Sequence, residues 1–344
     1  MELFLTPADV AELFGITVQA VHKMLKEHGI ATQLKGQRTH KIYPDMLNKL
    51  LEIRGGVSRA RKSFAIHTLK GGVGKSTLCH ALGSRASCYG FKTLMIDLDK
   101  QANLTNSFGI SDDDEMTTML ELYEKHRTGE KGYDFRDALY EISPYLHIIP
   151  ARLELANLDL SIQLNSTNIS KLFPGMLKGA KEEYDLILFD LPADFNRVTM
   201  ATHAFADCAL IPINMDAFSI KGLKLTQAHV DYVRREFDGS GDFRVIINKF
   251  DARNTLSFEL MADLKILYKD TPFLCSKVIP VSKPIETAFA SGENLWSLAR
   301  TKVPALEGFE SVLFEMMQMD AWKNTPPRRS SKRAASEGGV EHGH

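Results

Sequence analysis

The chain has 344 residues, room for one large domain and a smaller one, and its 44% hydrophobic and 25% charged content is that of an ordinary globular protein. A net charge of −1 says nothing by itself about partners, so any basic region has to be found locally. Four cysteines (Cys79, Cys88, Cys208, Cys275) form no C-x-x-C pair, which argues against a zinc site or a disulfide framework and suits a reducing cytosol. The first residues lack the basic flank and apolar core of a signal peptide, and no apolar run reaches the roughly 18 residues that would span a bilayer. A cytoplasmic protein with no membrane contact is expected.

Residues 1–56 read as a small helical module. Thr6-Pro7-Ala8-Asp9 starts a helix, with a capping Thr, Pro at the first helical position and an early acid, and Val10, Leu13 and Phe14 give it an apolar face. Gly15 ends it, Thr17 caps the next helix, and Val18, Val21, Met24 and Leu25 give that one its own apolar face. Helix, short Gly turn, helix is the helix-turn-helix pattern. The outward residues of the second helix, Gln19, His22, Lys23 and Lys26, suit phosphates and base edges. Gln33–Tyr43 holds Lys35-Gly36-Gln37-Arg38 between short β-like runs and reads as a wing, which adds Arg38 and Lys41 to the candidate DNA contacts. Pro44-Asp45 starts a third helix. Residues 17–62 carry ten Lys/Arg against three acids, a local basic footprint on a nearly neutral chain. A solvated hairpin used for dimerisation is the competing reading. Residues 57–62 read as a linker.

From residue 63 to 322 short apolar runs alternate with helix-like stretches. Candidate strands are Ser63–Thr68, Thr93–Asp97, Leu146–Pro150, Leu186–Asp190, Cys208–Asn214, Phe243–Asn248 and Cys275–Pro280. Their spacing predicts βα units and a mostly parallel sheet covered on both faces.

The first of these strands leads into Lys70-Gly71-Gly72-Val73-Gly74-Lys75-Ser76-Thr77, which opens an apolar helix. Glycines let successive N–H groups converge on one point at a helix N-terminus, a nest for phosphate oxygens. Lys75 would reach the β and γ phosphates and the Ser76 hydroxyl would bind Mg²⁺, so the fold class is α/β, a P-loop NTPase preceded by a small winged helix-turn-helix domain.

Leu69 stands where the ordinary pattern has its first glycine, and the extra Lys70 follows it. This resembles the deviant Walker A loop of the ParA/MinD family of partition and positioning ATPases. The resemblance implies an ATP-sandwich homodimer in which Lys70 acts on the partner's nucleotide. Ile96–Thr105 is similar to the family's D-x-D-P-Q-G-N-x-T, with Lys100 in place of proline and Ala102 in place of glycine. It implies that Asp99 positions or activates the attacking water while Asp97 supports the metal shell. Tyr184–Pro192 resembles a Walker B strand, with Asp190 on Mg²⁺ through water, and Phe195–Ala201 follows as the segment that senses the γ-phosphate. Asn248, Lys249 and Pro280 fall where the family contacts the base. Lys283 is the nearest substitute for an arginine that relatives place near DNA. The N-terminal module is similar to a MerR-like winged helix-turn-helix, which larger ParA-type partition proteins carry before their ATPase.

Phe309, Val312, Leu313, Met316, Met317 and Met319 lie near helical spacing among acids, a pattern for packing on the ATPase and not for a basic membrane anchor. Residues 323–344 are basic and poor in apolar residues, and disorder is expected there. The expected function is DNA segregation. ATP and Mg²⁺ would close a dimer that binds DNA non-specifically, a ParB-like centromere-binding partner would stimulate slow hydrolysis, and the N-terminal module would bind an operator. A protein-cargo positioning ATPase and an ATP-sensing transcriptional regulator with little turnover are the alternatives.

Overall fold

Local caps shape the N-terminal segment. Thr6 and Asp9 form a reciprocal capping box at the start of α1 (Pro7–Phe14), and Gly15 closes the helix at φ 61°, a left-handed conformation that costs glycine little. Thr17 accepts from the Ala20 N–H and starts α2 (Val18–Glu27), and Pro44 opens α3 (Pro44–Ile53). The computed structural model describes residues 1–30, 40–111, 115–216, 218–301 and 303–324. Most of the expected wing, Arg38 included, and nearly all of the C-terminal tail lie outside them.

Seven strands follow: β1 (Lys62–Ile66), β2 (Thr93–Asp97), β3 (Tyr140–Ser143), β4 (Leu146–Ile149), β5 (Leu186–Asp190), β6 (Cys208–Ile213) and β7 (Phe243–Ile247). They form one sheet in the order β3-β4-β2-β5-β1-β6-β7, parallel except for β3. Helices α4 (Lys75–Cys88), α5 (Asn103–Asn106), α6 (Met119–Thr128), α7 (Ala156–Leu164), α8 (Ile169–Met176) and α9 (Ala180–Glu183) precede β5. After it come α10 (Arg197–Phe205), α11 (Ser219–Phe237), α12 (Thr255–Leu267), α13 (Lys283–Ala290) and α14 (Pro304–Met316). Every residue of β2, β5 and β6 is buried, as a sheet covered on both faces requires.

One strand was not expected and one strand expectation is corrected. The antiparallel edge strand β3 has no apolar alternation, because its residues are all half-buried or exposed and only its pairing with β4 marks it. Cys275–Pro280 is not a continuous strand. It runs beside β7 through isolated bridges at Leu274 and Pro280, with Cys275 and Ile279 donating to the carbonyls of Val245 and Ile247.

The module and the larger unit share one apolar cluster, in which Leu5, Val10, Leu13, Phe14, Leu47 and Leu50 join residues of α4 and α14. Arg85, near the end of α4 and almost fully buried, pairs with Asp9 of α1 at 2.7 Å and with Glu310 of α14 at 2.6 Å, and its guanidinium lies 4.5 Å from the Trp296 ring. The residues read as a linker are part of this docking. Arg59 donates to Asn48 (2.6 Å) and to the Tyr89 carbonyl (3.2 Å), and it packs on Phe91 and Trp322. As expected, α14 packs against α4, with Phe309, Val312, Leu313, Met316, Met317 and Met319 buried. Among the described residues no helix is long and apolar enough to cross a membrane.

Candidate phosphate-binding site

The site lies at the carboxyl ends of β1, β2 and β5, where parallel α/β sheets open a crevice. Gly72 (φ 74°) and Gly74 (φ 85°) turn the chain into α4, which begins at Lys75. A Cβ on Gly74 would lie 2.7 Å from the Asn248 amide nitrogen, so glycine is required there twice over, by conformation and by space. Gly71 and Gly72 are exposed, Gly74, Ser76 and Thr77 are half-buried, and Val73 and Lys75 are buried.

Asp97 and Asp190 end neighbouring strands in register, although 93 residues separate them in sequence. Both are fully buried, and their surroundings differ. Asp97 accepts from the Thr105 N–H (2.9 Å), the Thr105 hydroxyl (2.8 Å) and the Asp99 N–H (3.1 Å). Burial outweighs these bonds and pushes its carboxyl up to about 7. Among the described residues, Asp190 has no hydrogen-bond partner at either oxygen. Burial, and then the neighbouring Asp97, hold its carboxyl well above the usual range. The Ser76 hydroxyl and the Lys75 ammonium approach closely enough to pull it back. Lys75 is lowered by burial, against the attraction of Asp190, Asp99 and Asp194.

An orphaned buried carboxylate beside a hydroxyl and a phosphate nest fits a divalent cation. Ser76 and Asp190 are the residues that would hold it. Asp97, with both oxygens accepting hydrogen bonds, braces the Asp99–Thr105 turn beside that site, where it was expected to support the metal shell.

Asp99 is half-exposed beyond β2, and its Oδ1 accepts from the Gln101 N–H at 3.0 Å. The Ala102 N–H closes this turn onto the Asp99 carbonyl (2.9 Å) with Ala102 at φ 51°, a conformation that costs a non-glycine residue about 1 kcal/mol.

Asn248 is buried under the loop. Its Nδ2 donates to the Val73 carbonyl (2.7 Å) and its Oδ1 accepts from the Lys249 N–H (3.0 Å), so the amide clamps the loop from below. Any base contact is left to the second Nδ2–H and the second lone pair of Oδ1. The Lys249 ammonium pairs with Glu286 at 3.3 Å. Pro280 lies alongside, bridged to Phe250.

Of the candidate DNA contacts, Gln19, Lys23 and Lys26 are exposed on α2 and His22 is half-buried against His40. Lys23 makes only a loose pair with Glu27 at 3.7 Å. Lys283 is well exposed at the start of α13, 4.0 Å from Glu286. Lys41 is corrected: it is buried, paired with Glu2 and set 4.8 Å from the Phe4 ring, so it serves the module's interior.

The sequence reading missed two groupings. His67, at the end of β1, meets His203 of α10 (2.9 Å) and the Asp194 carbonyl (3.0 Å), while Phe195 stacks on His229 of α11 at 3.9 Å. The carbonyl must accept from His67 Nε2–H, so His67 Nδ1 accepts from His203. Burial pushes His67 down to about 3 and His229 down to about 4, so both rings are neutral at pH 7 and tie the segment after Asp190 to β1 and α11. The second grouping joins Lys70 to Asp216 and Ser219 at the start of α11. Neither carries a spacing signal, because each joins residues far apart in the chain.

Such a crevice binds nucleoside phosphates, which places the chain among the P-loop nucleotide-binding proteins. Residues 61–240, just over half of the chain, match the family described as "AAA domain". The chain belongs to the ParA/MinD family of P-loop ATPases. It is 24% identical over 276 residues to the chromosome partitioning protein ParA of Myxococcus xanthus, covering 80% of this chain and 93% of that one. It is 27% identical over 228 residues to the cell division protein PomZ of the same organism, covering 66% and 69%. The structure of Cyanothece McdA without ligand matches with a TM-score of 0.65 at 24% identity, over 74% of this chain and 99% of that one.

Proposed function

We propose that this chain is an ATP-driven switch for DNA segregation. ATP closes a dimer around two nucleotides, the dimer binds DNA non-specifically, and hydrolysis stimulated by a ParB-like partner releases it. The buried Asp190 carboxylate beside Ser76 and Lys75 carries the nucleotide half of this reading, because its oxygens, without a hydrogen-bond partner among the described residues, fit the cation that ATP–Mg²⁺ would bring. Asp99 sits at the rim of the crevice, where a half-exposed carboxylate can hold a water for attack, and Lys283 remains available to DNA.

The test is sedimentation without nucleotide, with ADP, with ATP–Mg²⁺ and with a slowly hydrolysed ATP analogue, each with and without random-sequence duplex. Dimers and DNA complexes are expected only with ATP or its analogue. An oligomeric state and a DNA affinity indifferent to nucleotide would overturn the switch and favour a regulator that merely senses ATP.

The N-terminal module would add operator binding and autorepression. Its α1 and α3 are spent on docking, and α2 keeps Gln19, Lys23 and Lys26 facing outward. In a selection from random duplexes the wild type is expected to enrich one sequence, and Lys23→Ala with Lys26→Ala to lose that enrichment along with about two counterions of salt dependence. Enrichment that survives both changes removes α2 from DNA recognition. Positioning of a protein cargo is the second reading, favoured by the similarity to the cell division protein PomZ. A DNA-reading module on the same chain weighs toward partition.

A further inference from the structure

Lys70 precedes the phosphate nest by one residue, yet its ammonium points to the first turn of α11. There it pairs with Asp216 Oδ2 and donates to the Ser219 hydroxyl at 3.3 Å. Asp216 is built to receive it. Its Oδ1 accepts from the Phe218 N–H (3.1 Å), the Ser219 N–H (3.2 Å) and the Ser219 hydroxyl (3.1 Å), so the backbone fixes the carboxylate and turns Oδ2 to the lysine. Burial works against the Asp216 charge, but the bond to Lys70 and the charge of Lys70 outweigh it and hold the carboxyl below its usual range. The pair is partly screened, with 27% of the Lys70 side chain and 39% of the Asp216 side chain exposed.

An ammonium paired with this carboxylate has much of its charge neutralised, and it must loosen that pair to serve a phosphate at full strength. We infer that Asp216 is a positioning residue for Lys70, an intramolecular latch that withholds the ammonium until a nucleotide phosphate outcompetes the carboxylate. The inference rests on the reading that Lys70 serves a nucleotide phosphate across the dimer. Its consequence is a raised threshold: the latch makes the switch insensitive to low ATP, and a doubly charged terminal phosphate draws Lys70 from Asp216 more strongly than a singly charged group does. Because the pair is half-exposed, the threshold should move by a small factor.

Asp216→Asn removes the charge and keeps an Oδ1 acceptor for the Phe218 and Ser219 N–H groups, so the start of α11 is preserved. The readout is the concentration of a slowly hydrolysed ATP analogue that gives half-maximal dimer, at low and at high salt. The variant is expected to need about threefold to fivefold less analogue at low salt, with the gap closing as salt screens the wild-type pair. An unchanged or higher requirement, or a gap indifferent to salt, overturns the latch. Should Asp216→Asn fold poorly, Ser219→Ala loosens the carboxylate without removing its charge and should shift the half-point the same way. Lys70→Ala tests the underlying reading separately. If that variant dimerises like the wild type, Lys70 serves no phosphate, whatever Asp216→Asn does.

Discussion

Asp99→Ala is expected to bind ATP and form ATP-dependent dimers while turnover falls about 100-fold or more, the usual cost of losing a group that positions or deprotonates the attacking water. Asp97 and Asp190 are fully buried. Asp99 is half-exposed, with one oxygen held by the Gln101 N–H and the other accepting no hydrogen bond from a described residue. It is thus fixed in place yet still able to take a water. Among the described residues no hydrogen bond joins it to the loop glycines, so its loss should spare phosphate binding. Phosphate release and fluorescent-nucleotide binding, measured side by side, check this. Normal hydrolysis would remove Asp99 from the chemistry and point to Asp194, whose carboxyl is raised by burial and by Asp159.

Lys75→Ala should weaken nucleotide binding about 100-fold or more, since it removes a charge-assisted contact from a partly desolvated site. The apo protein should not suffer in parallel. Lys75 is buried, and burial already disfavours its charge, so deleting the ammonium relieves a desolvation cost even as it deprives Asp190, Asp99 and Asp194 of a neighbouring cation. Thermal unfolding separates the two effects. ATP–Mg²⁺ should raise the wild-type midpoint by mass action and leave that of Lys75→Ala unmoved. A variant still stabilised by ATP would mean that the nucleotide binds elsewhere. A surface groove of about 480 Å³ between Asn168, Arg197, Tyr232 and Glu236 would then be a place to look.

Much of this site is legible in the sequence, because the features that build it are local. A strand, three glycines, Lys-Ser-Thr and a helix lie within one short window, and the acids ending β2 and β5 each close an apolar run. What is not legible is pairing at a distance. That Asp97 is braced by Thr105 while Asp190 is left bare follows from the strand register and the turn after β2. Composition also marked Lys41 as basic surface, whereas Glu2 and the Phe4 ring make it an interior cation. The edge strand β3 was missed because it buries little and so has no apolar alternation to detect. The docking of the linker is hidden for a related reason. Arg59 is charged, but its guanidinium lies over the Phe91 and Trp322 rings, and a charge run in sequence does not distinguish a solvated arginine from a stacked one.

The docking of the N-terminal module also has a mechanical side. Asp9 of α1 grips Arg85 at one end of α4, and the phosphate loop occupies the other end, about 15 Å away along a single helix. A load placed on α2 is therefore not dissipated in a slack tether. It passes through α1 into a buried ion cluster and along a stiff rod to the nest, so a pull on the module and occupancy of the crevice bear on the same helix.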